Sequence, residues 1–226
     1  MNKLKAFVRL DFMTVKPYLT IKNLLIFAAV ALYLSMLSGN MSSAIGVGMM
    51  LGTLFVSYPF AVGEKSNMDA LYVTLSVGRK SVVLGRYIFT LSLNICAVLF
   101  ALTLASVGRL IAWVAGFESG DGEAFLMVIV LAALFALIQA IQLPLYFKLG
   151  YTKAKIVSII PLAAFVTGFT MFNFIALFNK GVTIIGVQPL SETLNGPLIV
   201  LGVVVFLIAI FASYRLSVSF YKKREF

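Results

Sequence analysis

The stretch "GEKSNMDALYVTLSVGRKSVVLGRY", residues 63–87, places six charged residues between two long apolar runs. Each flanking run is long enough to cross a bilayer as a helix. A connection between two helices needs only a few residues, yet this one is longer and keeps apolar residues at helical spacing. The stretch therefore predicts a membrane protein with a folded, charged segment between two of its spans.

The composition of the whole chain is that of an integral membrane protein. Of its 226 residues, 62% are hydrophobic and 12% are charged, and the mean hydropathy is +1.05. Soluble domains carry about 25% charged residues, so a sizeable soluble domain is excluded. We therefore expect one all-α transmembrane domain over residues 1–226, with room for about six spans of about 20 residues each.

Six apolar runs predict six transmembrane helices, because each approaches the length that a helix needs to cross a bilayer. Their approximate bounds are Asn23–Leu37, Ser42–Val62, Val82 or Arg86 to Val107, Ala124–Phe147, Ile156–Phe178 and Pro197–Val218. The short connections on the predicted outer side argue against a large extracellular docking domain.

The lysines and arginines predict which ends of these spans face the cytoplasm. If the N-terminus is inside, the inner segments hold 16 of the 18 basic residues; these segments are residues 1–22, 63–86, 148–155 and 215–226. Inner segments of membrane proteins are enriched in basic residues, so we expect both termini inside. The same enrichment accounts for the net charge of +10, and we expect no nucleic-acid partner.

Residues 1–20 have the pattern of an amphipathic helix that lies on the inner surface of the membrane. Apolar residues such as Phe7 and Val15 follow helical spacing, and charged residues including Asp11 occupy the other side, toward the lipid headgroups. Pro17 is expected to end this helix before the first span. A disordered basic leader is the alternative interpretation.

The sequence lacks the residues that most catalytic sites need. It has no histidine and no G-x-x-x-x-G-K-[ST] sequence, so we expect neither a metal ion nor a nucleotide to bind this chain. All eight carboxylates fall in predicted loops or at span edges. Ion-coupled carriers place ionisable groups inside the membrane, so this class is disfavoured together with the enzymes.

Neutral polar residues inside the predicted spans either form hydrogen bonds between helices or line a weakly polar path. They are Thr90, Asn94, Gln139, Gln142, Thr167, Thr170 and Asn173. Arg109, near the outer end of the third span, either extends to the interface or contacts a substrate at the exit. The candidate path residues are therefore Asn94, Gln139, Gln142, Asn173 and Arg109. Gly48 and Gly52 form a G-x-x-x-G pattern, which allows two helices to pack closely.

The opening stretch itself predicts a short amphipathic helix parallel to the membrane surface. Spacing of i, i+3, i+4 and i+7 gives this helix an apolar face, formed by Met68, Leu71, Tyr72 and Leu75. Ser66 is a suitable N-cap with Asp69 three residues later, and Gly78 can end the helix. Such a helix either lies on lipid or docks in a groove of another protein.

Together with the span before it, this stretch resembles the bacterial ABC-2 type transporter permeases. The resemblance is to the small six-span permeases of the phenol-soluble modulin exporter group in particular. The matching positions are Phe60, Glu64, Lys65, Thr74, Leu75, Val77, Arg79, Lys80, Val83, Gly85, Arg86 and Tyr87. Two positions depart from the family: Ser76 stands where proline is usual, and Gly78 where serine or threonine is usual.

The resemblance implies a half-transporter in the bacterial cytoplasmic membrane. Two copies of the chain, or this chain and a paralogue, would form the membrane path, and two separate ABC ATPase subunits would bind ATP and Mg. Residues 63–80 would hold the coupling helix, and the inner loop Lys148–Lys155 would make a smaller second contact. The implied ATPase-coupling residues are Glu64, Lys65, Ser66, Met68, Asp69, Leu71, Tyr72, Leu75 and Arg79.

The implied function is ATP-driven export of an amphipathic or antimicrobial peptide, or of a similar hydrophobic substrate, with no catalytic residue or cofactor in this chain. One alternative is a non-transporting immunity or sensor subunit that sequesters a peptide in the membrane. That alternative predicts protection from the peptide even when ATP hydrolysis by a partner is blocked.

Overall fold

The structure is a computed structural model that describes residues 3–38, 42–68, 72, 78–114, 116, 124–178 and 196–223. Within these residues the regular structure is α-helix throughout, which confirms the predicted all-α class for the described part of the chain. The helices are α1 (Lys3–Val15), α2 (Ile21–Ser38), α3 (Ser42–Val56), α4 (Tyr58–Lys65), α5 (Arg79–Val114), α6 (Ala124–Phe178) and α7 (Gly196–Lys223).

Four helical segments among the described residues are long and apolar enough to cross a membrane. They are Ile45–Lys65, Arg79–Ile111, Val128–Val157 and Gly202–Lys223, and the apolar helix Ile21–Leu34 is shorter. The chain is thus a polytopic membrane protein. The count of six spans and the inside position of both termini stay predictions.

The helices α3 and α5 form the most extensive interface of the bundle, and small residues make it possible. A Cβ atom added at Gly48 would lie 3.0 Å from Cα of Ala101, and one added at Gly52 would lie 3.0 Å from Cβ of Ala97. Small residues on both helices let the two backbones approach closely. The predicted packing role of the G-x-x-x-G pattern is confirmed.

The charged stretch begins inside a helix and not in a loop. The helix α4 continues to Lys65, and Ser66 and Asn67 end it: the Ser66 N–H donates to the Val62 carbonyl oxygen over 2.9 Å. Asn67 has a left-handed φ of 47°, which is common after the last residue of a helix. The prediction that Ser66 begins the coupling helix is wrong, because Ser66 stands at the C-terminal end of α4.

The predicted inner loop Lys148–Lys155 is almost entirely helical. Only Gly150 leaves the helical region, with φ 76° and ψ 171°, and it divides α6 into residues 124–149 and 151–178. Glycine adopts this positive φ without the strain that a Cβ atom would cause. The connection between the predicted fourth and fifth spans is therefore a single glycine, which places a new helix N-terminus at Tyr151.

The N-terminal helix α1 packs against its own chain, on α5 and α4. Phe7, Asp11 and Val15 are buried, and their i, i+4, i+8 spacing makes them one face of α1. The sequence pattern predicts Asp11 on the polar side of an interfacial helix, and that prediction is wrong. The buried face of α1 is directed at the bundle, so lipid can cover only the rest of the helix.

Candidate functional site at the α4–α5 junction

We call residues 63–87 the junction, since they connect α4 to α5; the structure describes 63–68, 72 and 78–87 of them. Three charged side chains of the junction each bind a different helix. Glu64 binds α6, Arg79 binds α7, and Arg86 binds α1. Polar contacts of the junction therefore reach three other helices of the described part of the chain.

The side chain of Glu64, which is remote from α6 in sequence, caps the N-terminus of the second half of α6. One carboxylate oxygen, Oε2, accepts hydrogen bonds from the backbone N–H groups of Tyr151 and Thr152, the latter over 3.2 Å. The other oxygen, Oε1, accepts from Thr152 Oγ1 over 2.6 Å. The first N–H groups of a helix have no partner within it, and a negative charge is favourable there. The contact therefore satisfies the helix end that Gly150 creates.

Arg79 makes the complementary contact at the other kind of helix end. Its Nη1 donates to the carbonyl oxygen of Tyr221 over 3.4 Å and to that of Lys222, in the last turn of α7. Carbonyl groups in the last turn lack partners within their helix, and a positive charge is favourable beside them. Arg79 thus joins the start of α5 to the end of α7.

Arg86 forms a buried ion pair with Asp11 of α1. Its Nη1 lies 2.7 Å from Asp11 Oδ1, and the two side chains are only 6% and 1% exposed. The guanidinium carbon also lies 5.5 Å from the ring centroid of Phe7 and 4.8 Å from that of Phe60, within the range of cation–π attraction. The guanidinium of Arg86 therefore contacts both α1 and α4 and holds them together.

The preceding residue, Gly85, provides the space that this arrangement needs. A Cβ atom there would lie 2.4 Å from Cδ1 of Phe7, a distance that no real contact tolerates. Glycine thus lets the Phe7 ring rest directly on the backbone of α5. Gly85 and Arg86, which the resemblance marked only as matching positions, both serve to seat α1.

The environment of Asp11 alters its acidity. Burial raises the pKa of the Asp11 carboxyl from 3.8 to about 6, although the positive charge of Arg86 acts in the opposite direction. The second carboxylate oxygen, Oδ2, is buried and has no hydrogen-bond partner among the described residues, which adds to the cost of the charged form. The packing of α1 against α4 and α5 is therefore expected to depend on pH.

Tyr87 extends the polar contacts of the junction to α7. Its hydroxyl lies 2.6 Å from Ser213 Oγ and 2.9 Å from Ser217 Oγ. Since Ser213 Oγ donates to the Ala140 carbonyl oxygen over 2.6 Å, we infer that the Tyr87 hydroxyl donates to Ser213. Tyr87, Ser213 and Ala140 thus link α5, α7 and α6, a network that the sequence analysis did not identify.

The apolar face predicted for the coupling helix is partly used within the chain. Tyr72 is buried, and its ring centroid lies 5.1 Å from that of Phe7. Met68 packs in the same cluster, which also contains Val82 and Phe147. Tyr72 was predicted to contact an ATPase, but its side chain points into the bundle, so a direct contact would need this cluster to open.

The other predicted coupling residues divide into three groups. Lys65 and Ser66 are exposed, so their side chains are accessible to a partner. Glu64 and Arg79 are held by the helix-end contacts described above. Outside the described residues lie Asp69, Leu71 and Leu75. The coupling role of all these residues stays a prediction.

The predicted path residues lie apart from the junction, and two of them bind each other. Asn94 Nδ2 donates to Gln139 Oε1 over 2.7 Å, and Gln139 Nε2 donates back to Asn94 Oδ1 over 2.8 Å. Gln139 Nε2 also lies 3.3 Å from Thr53 Oγ1. Of the two alternatives that the sequence left open, hydrogen bonding between helices is what the structure shows for this pair.

Of the remaining path residues, Gln142 lies three residues after Gln139 on α6, whereas Arg109 and Asn173 lie elsewhere on α5 and α6. Gln142 is buried in α6, and Arg109 is exposed on α5. The side chain of Asn173 lies outside the described residues, although its backbone is helical. A role for these residues in a substrate path stays a prediction.

Asp11 is the junction partner that sequence reasoning missed, and a signal for it was present. Phe7, Asp11 and Val15 recur at i, i+4 and i+8, so a helix wheel centred on Phe7 and Val15 places Asp11 between them. A lone carboxylate on an apolar helix face is stabilised there when a buried cation pairs with it. No pattern in the sequence, however, indicates that this cation is Arg86.

Almost the whole chain, including the junction and its partners, matches a known protein family. The family model described as ABC-2 family transporter protein matches residues 7–222, from Phe7 in α1 to the last turn of α7. Among curated proteins, none matches the chain significantly.

Proposed function

The chain belongs to the ABC-2 family of transporter proteins, and we propose that it is the permease half of an ATP-driven exporter. The family supplies the membrane subunit of an ABC transporter, and the ATPase is a separate subunit. The finer proposal, that this chain exports amphipathic or antimicrobial peptides, is supported by its resemblance to the phenol-soluble modulin exporter permeases.

The observation that carries the proposal is the set of contacts made by the junction. An ATPase that moves its permease must act on a surface connected to several helices at once. Glu64, Arg79 and Arg86 connect the junction to α6, α7 and α1. A push on the junction therefore reaches all three helices, whereas a push on an isolated loop would be absorbed by that loop.

The surface offered to the ATPase is basic in this proposal. Lys65 and Lys80 are exposed on either side of the junction, whereas Asp11 and Glu64 are bound to other parts of the chain. An acidic groove on the ATPase would complement the two lysines and steer its approach. The enrichment of basic residues at this end of the spans supports its placement in the cytoplasm.

The assembly proposed here contains two permease chains and two ATPase subunits that carry ATP and Mg. The permease pair is either two copies of this chain or this chain with a paralogue, each with six spans and both termini inside a bacterial cytoplasmic membrane. Asn94, Gln139, Gln142, Asn173 and Arg109 stay the proposed contacts along the path. For the Asn94–Gln139 pair this requires the amide pair to open during transport.

Affinity purification of the chain from its native membrane tests the proposal. The wild-type chain is expected to retain an ABC ATPase, and Lys65→Glu combined with Lys80→Glu is expected to weaken that retention by about tenfold. Lys22→Glu, which reverses an exposed lysine at the start of α2, is the matched control and should retain the ATPase. A wild-type chain that retains no ATPase would refute the permease assignment.

A further inference from the structure

We propose that Glu64 is a positioning residue that fastens the junction to the second half of α6, so that the two move as one body. This inference rests on the proposed function, because it states how a push on the junction would reach residues 151–178. The contact lies within Lys148–Lys155, and the smaller second contact of that segment with an ATPase stays a prediction.

The geometry of the carboxylate supports a fastening role. Glu64 accepts three hydrogen bonds from two consecutive residues, through the N–H groups of Tyr151 and Thr152 and the hydroxyl of Thr152. Both oxygens are used, so the carboxylate is held in position as well as in orientation. Hydrogen bonds to an ionised acceptor are stronger than those between neutral groups.

The second half of α6 has no local substitute for this cap. A helix is normally capped by the side chain of the residue just before it, and here that residue is Gly150, which has none. The positive φ of Gly150 disfavours any other residue at that position. The cap therefore comes from Glu64, 87 positions from Tyr151 in sequence, and it ties two separate helices.

Aromatic contacts run parallel to the cap and hold the same two elements together. The Phe60 ring of α4 stacks on Tyr146, with centroids 4.9 Å apart, and Tyr146 stacks on Tyr151 at 6.2 Å. These rings line a small pocket with Glu64 and Arg86. The stacked rings resist sliding of α4 along α6 only weakly, since rings can shift along one another. The Glu64 carboxylate, in contrast, fixes the position of α4 relative to the helix end at Tyr151.

The first measurement uses the full chain alone in lipid nanodiscs. Spin labels at Lys65→Cys and Lys153→Cys, two exposed positions beside the contact, report the distance between α4 and the second half of α6 in a Cys96→Ala background. We expect one narrow distance in the otherwise wild-type chain. With Glu64→Ala the separated population should rise about fivefold, the effect that loss of a helix cap produces.

Two further variants make this measurement specific. Glu64→Gln keeps one acceptor oxygen and should restore part of the narrow population. Thr103→Ala removes an exposed hydroxyl that binds only the Phe100 carbonyl oxygen in its own helix, and it should leave the distance unchanged. A distance distribution in Glu64→Ala equal to that of the parent chain would overturn the inference.

The second measurement uses the complex with its ATPase and separates positioning from stability. Labels at Thr167→Cys in α6 and Leu207→Cys in α7, both exposed, are followed before and after addition of ATP and vanadate. We expect the nucleotide to change this distance in the wild-type complex and not in Glu64→Ala complexes that contain the same amount of bound ATPase. An equal change in both complexes would refute the role of Glu64.

Failure of the proposed function would look different from failure of this inference. If no ATPase binds the wild-type chain, the permease assignment falls, yet the distance between Lys65→Cys and Lys153→Cys still decides whether Glu64 fastens the two helices. If the ATPase binds and the spin-label distances are the same in the wild-type chain and in Glu64→Ala, only the inference about Glu64 is refuted.

Discussion

Arg86 of α5 donates a hydrogen bond to Asp11 of α1 over 2.7 Å, and both side chains are buried. This pair joins the N-terminal helix to the helix that follows the junction. Charges that leave water lose hydration, so a buried pair persists only with close contacts around both partners. Here the rings of Phe7 and Phe60 supply such contacts to the arginine, whereas Oδ2 of Asp11 finds no hydrogen-bond partner among the described residues.

Removing the two partners of this pair should have unequal effects. Asp11→Ala leaves the charged guanidinium of Arg86 buried without its carboxylate, and we expect the free energy of unfolding to fall by about 3–5 kcal/mol. Arg86→Ala should cost less, because Asp11 can take up a proton and become neutral. Thermal melting in detergent measures both, and a larger loss for Arg86→Ala would contradict this account.

Replacing both partners provides a matched control for that experiment. Asp11→Leu with Arg86→Met fills a similar volume without charge, and we expect it to cost less than the sum of the two single changes. Additive losses would mean that the two residues do not act as a pair.

Docking of α1 should strengthen as the pH falls. The pKa of Asp11 is about 6 when docked and near 3.8 when free, so the docked helix binds a proton more tightly. The favourable contribution is fully present below pH 3.8 and is lost as the pH rises through 6. We expect the docking equilibrium to change by about tenfold between pH 7 and pH 5.

Spin labels at Met13→Cys on α1 and Leu84→Cys on α5, both exposed, measure that equilibrium as a distance population. Asp11→Asn removes the titrating group and keeps an oxygen for Arg86, so its population should not depend on pH over this range. A wild-type population that is constant from pH 7 to pH 5 would show that Asp11 does not control docking.

The close packing of α3 on α5 should make two glycines sensitive to a single methyl group. Gly48→Ala places Cβ 3.0 Å from a backbone atom of Ala101, and Gly52→Ala places it 3.0 Å from a side-chain atom of Ala97. We expect each to lower the free energy of unfolding by about 1–3 kcal/mol, with Gly48→Ala worse because its Cβ would meet both Cα and Cβ of Ala101 at 3.0 Å. Thermal melting of both variants tests the order.

Gly202 in α7 is the control for these substitutions. In the described part of the chain no atom outside the adjacent helix backbone lies within 4 Å of a Cβ added there, and alanine is favoured over glycine in helices by about 1 kcal/mol. Gly202→Ala should therefore leave the melting temperature unchanged or raise it. Equal destabilisation at all three glycines would indicate a general effect of alanine and not the α3–α5 contact.

The amide pair Asn94–Gln139 should show measurable coupling. A double-mutant cycle with Asn94→Ala and Gln139→Ala is expected to give about 0.6–2 kcal/mol, the range found for hydrogen bonds between membrane helices. The expected sign is that the second change costs less than the first, because its partner is already gone. A coupling energy of zero would mean that the two amides are not paired in the membrane.

Composition and spacing were sufficient for the helical class and for most of the apolar helices. The runs around Val82–Val107 and Pro197–Val218 both lie within observed helices, because a helix in lipid must satisfy its own backbone and is therefore dictated locally. The close-packing role of Gly48 and Gly52 followed from the same local reasoning. Helix ends were less predictable: Ser66 ends a helix where capping rules favoured a beginning.

In the candidate site, too, the sequence predicted which residues matter but not which residues they bind. Sequence indicated that residues 63–87 carry the charges of interest, and the structure uses Glu64, Arg79 and Arg86 for contacts. Their partners lie far away in the chain: 87 positions for Glu64 with Tyr151, 142 for Arg79 with Tyr221, and 75 for Arg86 with Asp11. No local pattern specifies such pairings.

The sequence alone determined that this protein is an all-α membrane chain with a charged segment beside its third predicted span. Those properties depend on the hydropathy and spacing of neighbouring residues, which are written in order along the chain. Only the tertiary structure decided what the charges of that segment bind. The reason is physical. The Glu64 carboxylate binds an uncapped helix N-terminus, and the Arg86 guanidinium binds a buried carboxylate. Each of these partners is brought within reach only when helices that are distant in sequence pack together.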